Sequence, residues 1–199
     1  MKVSDKHTKI LQAAIKVFAR KGFFNAKISE VAKEAKVADG TIYLYFNNKY
    51  DILISIFEQE MGKIIAQTKR ALENEDDPRR MLQIFAMNHL VLMREKKDLA
   101  EVIQMELRQS NKFIIEYRNK KFVEYVDIIS EIIHKGQAQG VFRADVMPGI
   151  VKRAFFGALD EMSRLWVLLP SPHYSLEEAA HHISKVFLHG ICANPAECA

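Results

Sequence analysis

The chain has 199 residues, of which 49% are hydrophobic and 27% charged, and its formal net charge is +4 at pH 7. This composition is typical of a globular protein with one or two compact units, and it excludes an intrinsically disordered chain. No apolar run approaches the roughly 20 residues that a transmembrane helix needs, and the N-terminal residues lack the apolar segment of a signal peptide, so we expect a cytoplasmic protein without membrane contact.

The first predicted helix runs from about Asp5 to Lys21. Its apolar residues recur at the i, i+3, i+4, i+7 and i+8 spacing of one buried stripe. They are Ile10, Ala13, Ala14, Val17 and Phe18. Gly22 is a good residue to end this helix, which we expect to cover the back of the segment that follows.

Two short helices joined by a tight turn are predicted between Ser29 and Phe46. Ser29 is expected to cap the first helix, whose small apolar residues let a neighbouring helix approach closely. The second helix begins near Gly40. This is the helix-turn-helix pattern, in which the first residues of the second helix reach base edges in the major groove of DNA.

The second helix of this motif supplies the predicted base contacts. Gly40 lets the backbone approach DNA, Thr41 can hydrogen-bond a base or touch a thymine methyl group, and Tyr43 presents a polar hydroxyl. The complete predicted DNA-binding set is Ser29, Lys36, Gly40, Thr41, Tyr43, Tyr45 and Lys49.

A third helix is predicted to begin just after the motif. Asn48 can cap it, and Asp51 stands three residues further on, as in a capping box. At this N-terminus the Lys49 ammonium and the backbone N–H groups would converge on one phosphate, so we expect Tyr45 and Lys49 to hold the DNA backbone. The alternative is a surface lysine beside a core tyrosine.

Positive charge is concentrated in the first 51 residues, which hold ten Lys or Arg against five Asp or Glu. The rest of the chain holds 19 against 20. A basic segment is what binding to a polyanion requires, although a charge run by itself is usually a solvated surface. The charge therefore corroborates the motif and does not replace it.

The segment ISEVAKEAKVADGTIYLYFNNKYDIL resembles the DNA-binding signature of the TetR family of bacterial transcription regulators. The match extends from about Ile10 to Leu53, and the block TIYLYF followed by N-x-K is highly specific. The resemblance implies a DNA-binding domain followed by a helical domain that binds a ligand and forms a dimer. Lys36 departs from the family pattern, which usually has glycine at this turn. A left-handed backbone there costs a non-glycine residue roughly 1 kcal/mol.

The remainder of the chain is predicted to be helical. Further helices are expected at about 48–74, 79–95, 98–108, 111–139, 148–169 and 176–191. Pro78 and Pro148 suit helix starts, Ser175 suits an N-cap and Gly140 suits a helix end. We predict an all-α protein of about nine helices, with a helix-turn-helix DNA-binding domain at 1–51 and a ligand-binding and dimerisation domain at 52–199.

The last two predicted helices carry small residues among large ones, which suits close helix packing. These residues are Ala154, Phe155, Ala158, Leu159, Met162 and Trp166 in one helix, and Ile183, Val186, Phe187 and Gly190 in the other. The resemblance implies a four-helix interface with two helices from each subunit, and a two-fold homodimer would place two recognition helices on palindromic double-stranded DNA. The alternative is an ordinary intramolecular core.

The second half is also rich in Met, Phe, Ile and Leu, and the polar string QMELRQSN interrupts it at residues 104–111. Core packing explains the apolar residues and a solvated helix junction explains the string. The alternative is an apolar tunnel with an anion-binding mouth.

The segments ELRQSN and GALDE, together with Trp166, resemble one branch of the family. That branch represses fatty-acid degradation genes and leaves DNA on binding long-chain acyl-CoA. The resemblance implies that Arg108, with Arg118, meets the CoA phosphates through paired hydrogen bonds. The predicted ligand-binding set is Arg108, Asn111, Arg118, Met105, Phe85 and Trp166. Beyond this acyl-CoA effector we expect no cofactor and no metal.

Two other functions follow from the same residues. A TetR-type repressor sensing another lipophilic ligand, such as a drug, would not need Arg108. An enzyme acting on acyl-CoA is disfavoured, because the chain has no nucleophile-elbow pattern, no phosphate-binding glycine loop and no third partner for a metal-ligand pair. An amphipathic helix explains Glu178 and His182. Cys192 and Cys198 are expected to be reduced thiols without a structural role.

Overall fold

The computed structural model describes the backbone of residues 3–109, 120–168 and 173–194, and the side chains of residues 6–104, 120–166 and 173–194. Nine α-helices lie in these ranges. They are α1 (Val3–Lys21), α2 (Ile28–Ala35), α3 (Asp39–Tyr43), α4 (Lys49–Leu72), α5 (Pro78–Glu95), α6 (Lys97–Gln109), α7 (Lys120–Ala138), α8 (Pro148–Leu168) and α9 (Leu176–Ile191). The predicted all-α fold is confirmed, and the part of a predicted helix at 111–119 lies outside the described residues.

The helices divide into two compact units. The first holds Met1–Gly62 and Lys96–Lys121, and the second holds Lys63–Glu95 and Phe122–Ala199. Helix α4 contributes its beginning to the first unit and its end to the second. The boundary predicted between residues 51 and 52 lies inside α4, and the division into a DNA-binding and a ligand-binding domain stays a prediction.

The first unit is built on α1, whose predicted apolar stripe is buried. Ile10 and Ala14 are fully buried and Phe18 is 2% exposed. Phe23, in the loop after α1, contacts Phe18 edge-on with 5.3 Å between ring centroids and Tyr50 with 4.9 Å. Because α1 also packs against α2 and α6, it covers the back of the helix-turn-helix as predicted.

A buried carboxylate connects three segments of the first unit. Glu60 on α4 is 5% exposed. Its Oε1 accepts a hydrogen bond from Gln12 Nε2 of α1 at 3.4 Å, and its Oε2 lies 3.8 Å from the ammonium of Lys96, the residue before α6. A buried charge needs such partners, so Glu60 favours the arrangement that brings Gln12 of α1 and Lys96 to this carboxylate.

The predicted cap of α2 is wrong. The helix begins at Ile28 and its N-cap position is occupied by Lys27. The Glu30 carboxylate accepts a hydrogen bond from the Lys27 N–H at 3.0 Å, which satisfies a backbone donor at the helix start. Ser29 is therefore an exposed residue of the first helical turn.

Helix α3 is shorter than predicted and begins earlier. Its N-cap residue is Ala38, which offers no side-chain hydrogen bond, and the helix runs only from Asp39 to Tyr43. The predicted end at Phe46 is therefore wrong. A five-residue helix has little stability of its own, so its position depends on packing.

Asn48 caps α4 as predicted, whereas the Asp51 carboxylate bonds to Asn47 and not to the Asn48 N–H that a capping box uses. Asn48 Oδ1 accepts a hydrogen bond from the Asp51 N–H at 3.0 Å. The Asp51 carboxylate in turn accepts hydrogen bonds from the Asn47 N–H at 3.0 Å and from Asn47 Nδ2 at 2.7 Å. These contacts satisfy donors at the helix N-terminus.

In the second unit, α5 packs against α8 and α9. Helix α9 begins with the predicted cap: Ser175 Oγ accepts from the Glu178 N–H at 3.0 Å, and the Glu178 carboxylate accepts from the Ser175 N–H at 2.8 Å. This reciprocal pair is a capping box. It also gives Glu178 a structural role at the helix start.

The turn after α7 is closely packed. A Cβ atom on Gly136 would lie 2.1 Å from Cδ2 of Phe142, so only glycine fits beneath that ring. Phe142 forms an isolated antiparallel bridge with Cys192. Cys192 is disulfide-bonded, so the expectation that it is a reduced thiol is wrong, and Cys198 lies outside the described residues.

Candidate functional site

The turn between α2 and α3 contains a lysine in the left-handed conformation. Lys36 has φ 56° and ψ 47°, as expected for the turn of this motif. Its N–H donates to the Lys33 carbonyl at 3.2 Å, and the Val37 N–H donates to the Ala32 carbonyl at 3.0 Å. These two bonds form the Schellman pattern that ends many helices, and they stabilise the left-handed conformation of Lys36.

Helix α3 is anchored by one residue and exposed elsewhere. Ile42 is fully buried. Gly40 is exposed, Thr41 is half-buried and the Tyr43 side chain is 58% exposed. The predicted base-contacting residues are therefore accessible on one short helix. Their contacts with DNA stay a prediction.

Leu44 is an exposed residue that the sequence analysis missed. It is 80% exposed, directly after α3. Leu44 lies two residues after the buried Ile42. Two residues of a helix span a rotation of about 200°, which places Leu44 on the opposite face. Counting that rotation from Ile42 would have identified it. An apolar side chain here can contact a thymine methyl group.

The acidic residues of α2 are paired with cations of α1. Arg20 Nη2 lies 2.9 Å from a Glu34 carboxylate oxygen, and Lys21 forms an ion pair with Glu30. The Lys21 hydrogen bond, followed by the Lys27 N–H, holds the pKa of Glu30 below its ordinary value. The α2 carboxylates are thus neutralised locally, which reduces their repulsion of an approaching polyanion.

Lys49 is half-buried, and its ammonium is bonded to the protein's own backbone. Its Nζ donates hydrogen bonds to the carbonyl oxygens of Phe24 and Ala26, both at 3.0 Å, and lies 4.7 Å from the centroid of the Phe23 ring. These contacts fasten the α1–α2 loop to the start of α4. The predicted phosphate contact of Lys49 stays a prediction.

Tyr45, the predicted partner of Lys49, is half-buried. Its ring lies edge-on to His7 with 6.2 Å between centroids, and His7 also contacts Phe46 at 5.0 Å. The structure brings Tyr45 against α1 and does not pair it with Lys49. Its phosphate contact likewise stays a prediction.

The predicted ligand-binding residues are described only in part. Phe85 on α5 is fully buried and Trp166 on α8 is half-buried. Met105 and Arg108 belong to α6, but their side chains lie outside the described set. Asn111 and Arg118 lie outside the described residues altogether. The predicted ligand-binding set therefore stays a prediction.

A buried polar trio in the second unit was missed by the sequence analysis. Thr68 of α4, His89 of α5 and Tyr125 of α7 are 3%, 1% and 2% exposed. His89 Nδ1 and the Tyr125 hydroxyl are hydrogen-bonded at 3.1 Å. The Thr68 and Tyr125 side chains are also hydrogen-bonded to each other. His89 stands four residues after Phe85, on the same helix face, and that spacing was the available signal.

Burial keeps the trio uncharged at neutral pH. It lowers the pKa of His89 to about 4. Burial also raises the pKa of the Tyr125 hydroxyl, and the Thr68 hydrogen bond opposes this only in part. The trio is surrounded by aromatic rings: Phe85 stacks on Tyr125 with 5.1 Å between centroids, and Phe156 meets His89 edge-on at 5.3 Å. It is a neutral polar site in an apolar setting.

The predicted dimer helices carry both core and exposed residues. Phe155 and Leu159 are buried, and Phe155 contacts Phe187 with 5.1 Å between ring centroids. Val186 is 71% exposed, and Ile150, which lies outside the predicted set, is 62% exposed. Part of the predicted set is thus an intramolecular core, as the alternative held, and part is an accessible apolar surface.

The described part of the chain has neither a metal-binding cluster nor a membrane-spanning helix. No group of three or more His, Cys, Asp or Glu among its residues could hold a metal ion. None of its helices is long and apolar enough to cross a membrane.

Comparison with known proteins places these features in a family. Residues 10–56 match the model of bacterial regulatory proteins of the tetR family, and residues 57–190 match that of the C-terminal region of YsiA-like proteins. The chain is 33% identical over 186 residues to the fatty acid metabolism regulator protein of Bacillus subtilis (strain 168), covering 94% of this chain and 95% of that protein.

Two solved structures are similar over nearly the whole chain. The first is the transcriptional regulator FadR from Bacillus subtilis in complex with stearoyl-CoA, with a TM-score of 0.85, 33% identity, and coverage of 92% of this chain and 98% of that chain. The second is the fatty acid degradation regulator FadR from Bacillus halodurans, with a TM-score of 0.84, 34% identity, and coverage of 92% and 98%.

Proposed function

The chain belongs to the TetR family of bacterial regulatory proteins, and on that basis we propose that it is a homodimeric repressor of fatty-acid degradation genes, released from its operator by long-chain acyl-CoA. The observation that carries this proposal is the whole-chain similarity to FadR in complex with stearoyl-CoA. The matched families and relatives are transcription regulators, so the chain is a regulator and not an enzyme. As a DNA-binding regulator it would act in the cytoplasm.

The first unit supplies the DNA-binding surface. Thr41 and Tyr43 are accessible on α3, and the strained turn before it presents the exposed Lys36. In the dimer, two copies of α3 would enter successive major grooves of a palindromic operator. The base contacts would select the sequence and the lysines would neutralise phosphates.

The homodimer would form through α8 and α9. Ile150 and Val186 are large, exposed apolar residues on these helices, and a second subunit would cover them. A two-fold interface uses the same surface on both subunits. Half-exposed side chains such as Trp166 would then be buried further.

Acyl-CoA would act by favouring a dimer state that does not fit the operator. A ligand weakens DNA binding only by its preference for that state, and such couplings are typically about 5–150-fold in affinity. Because coupling is reciprocal, operator DNA should weaken acyl-CoA binding by the same factor.

The test is a titration of stearoyl-CoA into a complex of the full-length protein with duplex promoter fragments of its own genome. Fluorescence anisotropy should show that stearoyl-CoA lowers operator affinity by about 5–150-fold. Free CoA, which lacks the acyl chain, is the control. Unchanged operator affinity would exclude this effector. Failure to bind any duplex fragment at low ionic strength, without ligand, would exclude the repressor itself.

Arg108 separates this proposal from a repressor that senses another lipophilic ligand. Arg108→Ala should abolish release by acyl-CoA while leaving operator binding intact, because it removes the expected partner of the CoA phosphates. Lys97→Ala on the same helix, at an exposed position, is a charge-matched control. If acyl-CoA still releases the Arg108→Ala variant fully from operator DNA, the result would favour a repressor whose ligand has no phosphate group.

A further inference from the structure

The hydrogen-bonded chain from Thr68 to His89 ends on an imidazole proton with no acceptor. A phenol is a stronger hydrogen-bond donor than a neutral imidazole, and an imidazole nitrogen is a stronger acceptor than a phenol oxygen. The single phenolic proton then points to His89 Nδ1, 3.1 Å away. Neutral imidazole carries its proton on the other nitrogen, which makes Nε2 a donor.

This donor is buried and unpartnered. His89 is 1% exposed, and no residue in the described part of the structure accepts a hydrogen bond from Nε2. Buried polar groups in folded proteins nearly always have partners. A buried donor oriented by two further hydrogen bonds and left without one is suited to an acceptor that arrives with a ligand.

The surroundings define the chemistry of that acceptor. Phe156 meets the His89 ring edge-on at 5.3 Å, and Phe122 contacts Phe156 at 5.1 Å. An apolar setting with one polar anchor suits a ligand that is mostly hydrocarbon. A neutral N–H satisfies an uncharged carbonyl oxygen, whereas a carboxylate buried beside it would lack a counter-charge.

Resting on the proposed function, we infer that His89 Nε2 donates a hydrogen bond to the thioester carbonyl of bound acyl-CoA, and that the Thr68–Tyr125–His89 trio makes the protein distinguish acyl thioesters from alkyl chains of equal length. Tyr125 is a positioning residue, because it sets the imidazole tautomer. His89 is the residue that contacts the ligand.

The experiment compares two ligands that differ only at the carbonyl. Stearoyl-CoA has the thioester, and S-octadecyl-CoA has a CH2 group in its place. Calorimetric titration of the full-length protein gives the ratio of their dissociation constants. One neutral hydrogen bond is typically equivalent to about fivefold to tenfold in affinity, so the wild type should prefer stearoyl-CoA by about that factor.

Variants of His89 then locate the source of the preference. His89→Leu removes the donor and should bring the ratio to about one. His89→Gln places an amide N–H close to the former Nε2 position and should keep part of the preference. Ser163→Ala is the matched control: Ser163 is fully buried in the same unit, but its hydroxyl already donates to the Leu159 carbonyl at 2.9 Å, so the ratio should not change.

Two results would overturn the inference while the proposed function stands. One is equal affinity of the wild type for both ligands, which decides the matter even if His89→Leu does not fold. The other is an unchanged preference in His89→Leu, which would assign the imidazole a purely structural role. If the wild type binds neither ligand and DNA release also fails, the proposed function and the inference fall together.

Discussion

Lys49→Met should destabilise the first unit, because it removes an ammonium that fastens the α1–α2 loop to α4. Methionine keeps the length of the side chain and its contact with the Phe23 ring. It leaves the carbonyl oxygens of Phe24 and Ala26 without the donor that now lies 3.0 Å from each. The loss is therefore specific to the charged group.

The magnitude follows from these contacts. A hydrogen bond to a charged group contributes about 1.5–3 kcal/mol, and a cation–π contact at an exposed site contributes about 0.5–1 kcal/mol. Phe24 is 57% exposed, so water can replace part of what is lost. We expect the free energy of unfolding to fall by about 2 kcal/mol, which lowers Tm by about 4–8 °C in a chain of this length.

Thermal unfolding of the ligand-free protein measures this change. Lys33→Met is the matched control, because it makes the same substitution at an exposed position of α2 that has no ion-pair partner among the described residues. The control should unfold at the wild-type temperature. If Lys49→Met does so too, the Lys49 ammonium does not stabilise the fold and the reasoning from its contacts is wrong.

The same variant tests the predicted phosphate contact independently. A lysine that neutralises one phosphate contributes about 0.9 to the slope of log affinity against log salt concentration. A fall of that size in Lys49→Met, measured on operator DNA at several salt concentrations, would support the contact. An unchanged slope with weaker binding would indicate that Lys49 only positions the motif.

Three further predictions concern other residues. Leu44→Ala should weaken operator binding without lowering Tm, because Leu44 is 80% exposed; anisotropy and thermal unfolding check this, and a drop in Tm would contradict it. Gly136→Ala should destabilise the protein by about 1–3 kcal/mol, because the added Cβ clashes with the Phe142 ring. Gly157→Ala, at a position with no neighbouring atom within 4 Å, should leave stability unchanged. Equal denaturant midpoints for the two variants would refute the packing argument. The free energy of unfolding should fall by up to about 3 kcal/mol as the pH drops from about 6.5 to about 4. In this range the unfolded chain protonates His89, whose ordinary pKa is about 6.5, whereas the native state does not, because its His89 pKa is about 4. His89→Phe should flatten that part of the pH profile of denaturant unfolding, and an unchanged profile would contradict the burial argument.

The helices were predictable because their signals are local. Asn48 and Ser175 cap α4 and α9 as their sequence positions indicated. The left-handed turn at Lys36 also followed from its place in the motif. Each of these features depends on residues within a few positions along the chain.

The failures of prediction have two physical sources. The cap at Ser29 failed because Glu30 can satisfy the Lys27 N–H, which lets α2 start two residues earlier. The other omissions depend on contacts between distant positions. Lys49 bonds to carbonyls 23 and 25 residues before it, and His89 pairs with Tyr125 36 residues after it. Sequence periodicity reports which face is buried, but it carries no information about such partners.

The strained backbone at Lys36 has a consequence for how this sequence can evolve. Glycine would relieve the strain, so selection for thermal stability alone should replace the lysine. Selection for repression should retain a cation there if it faces the operator phosphates. A library randomised at position 36 would then return glycine or asparagine under the first selection and lysine or arginine under the second. The residue selected at this position would show whether folding or gene control determines it.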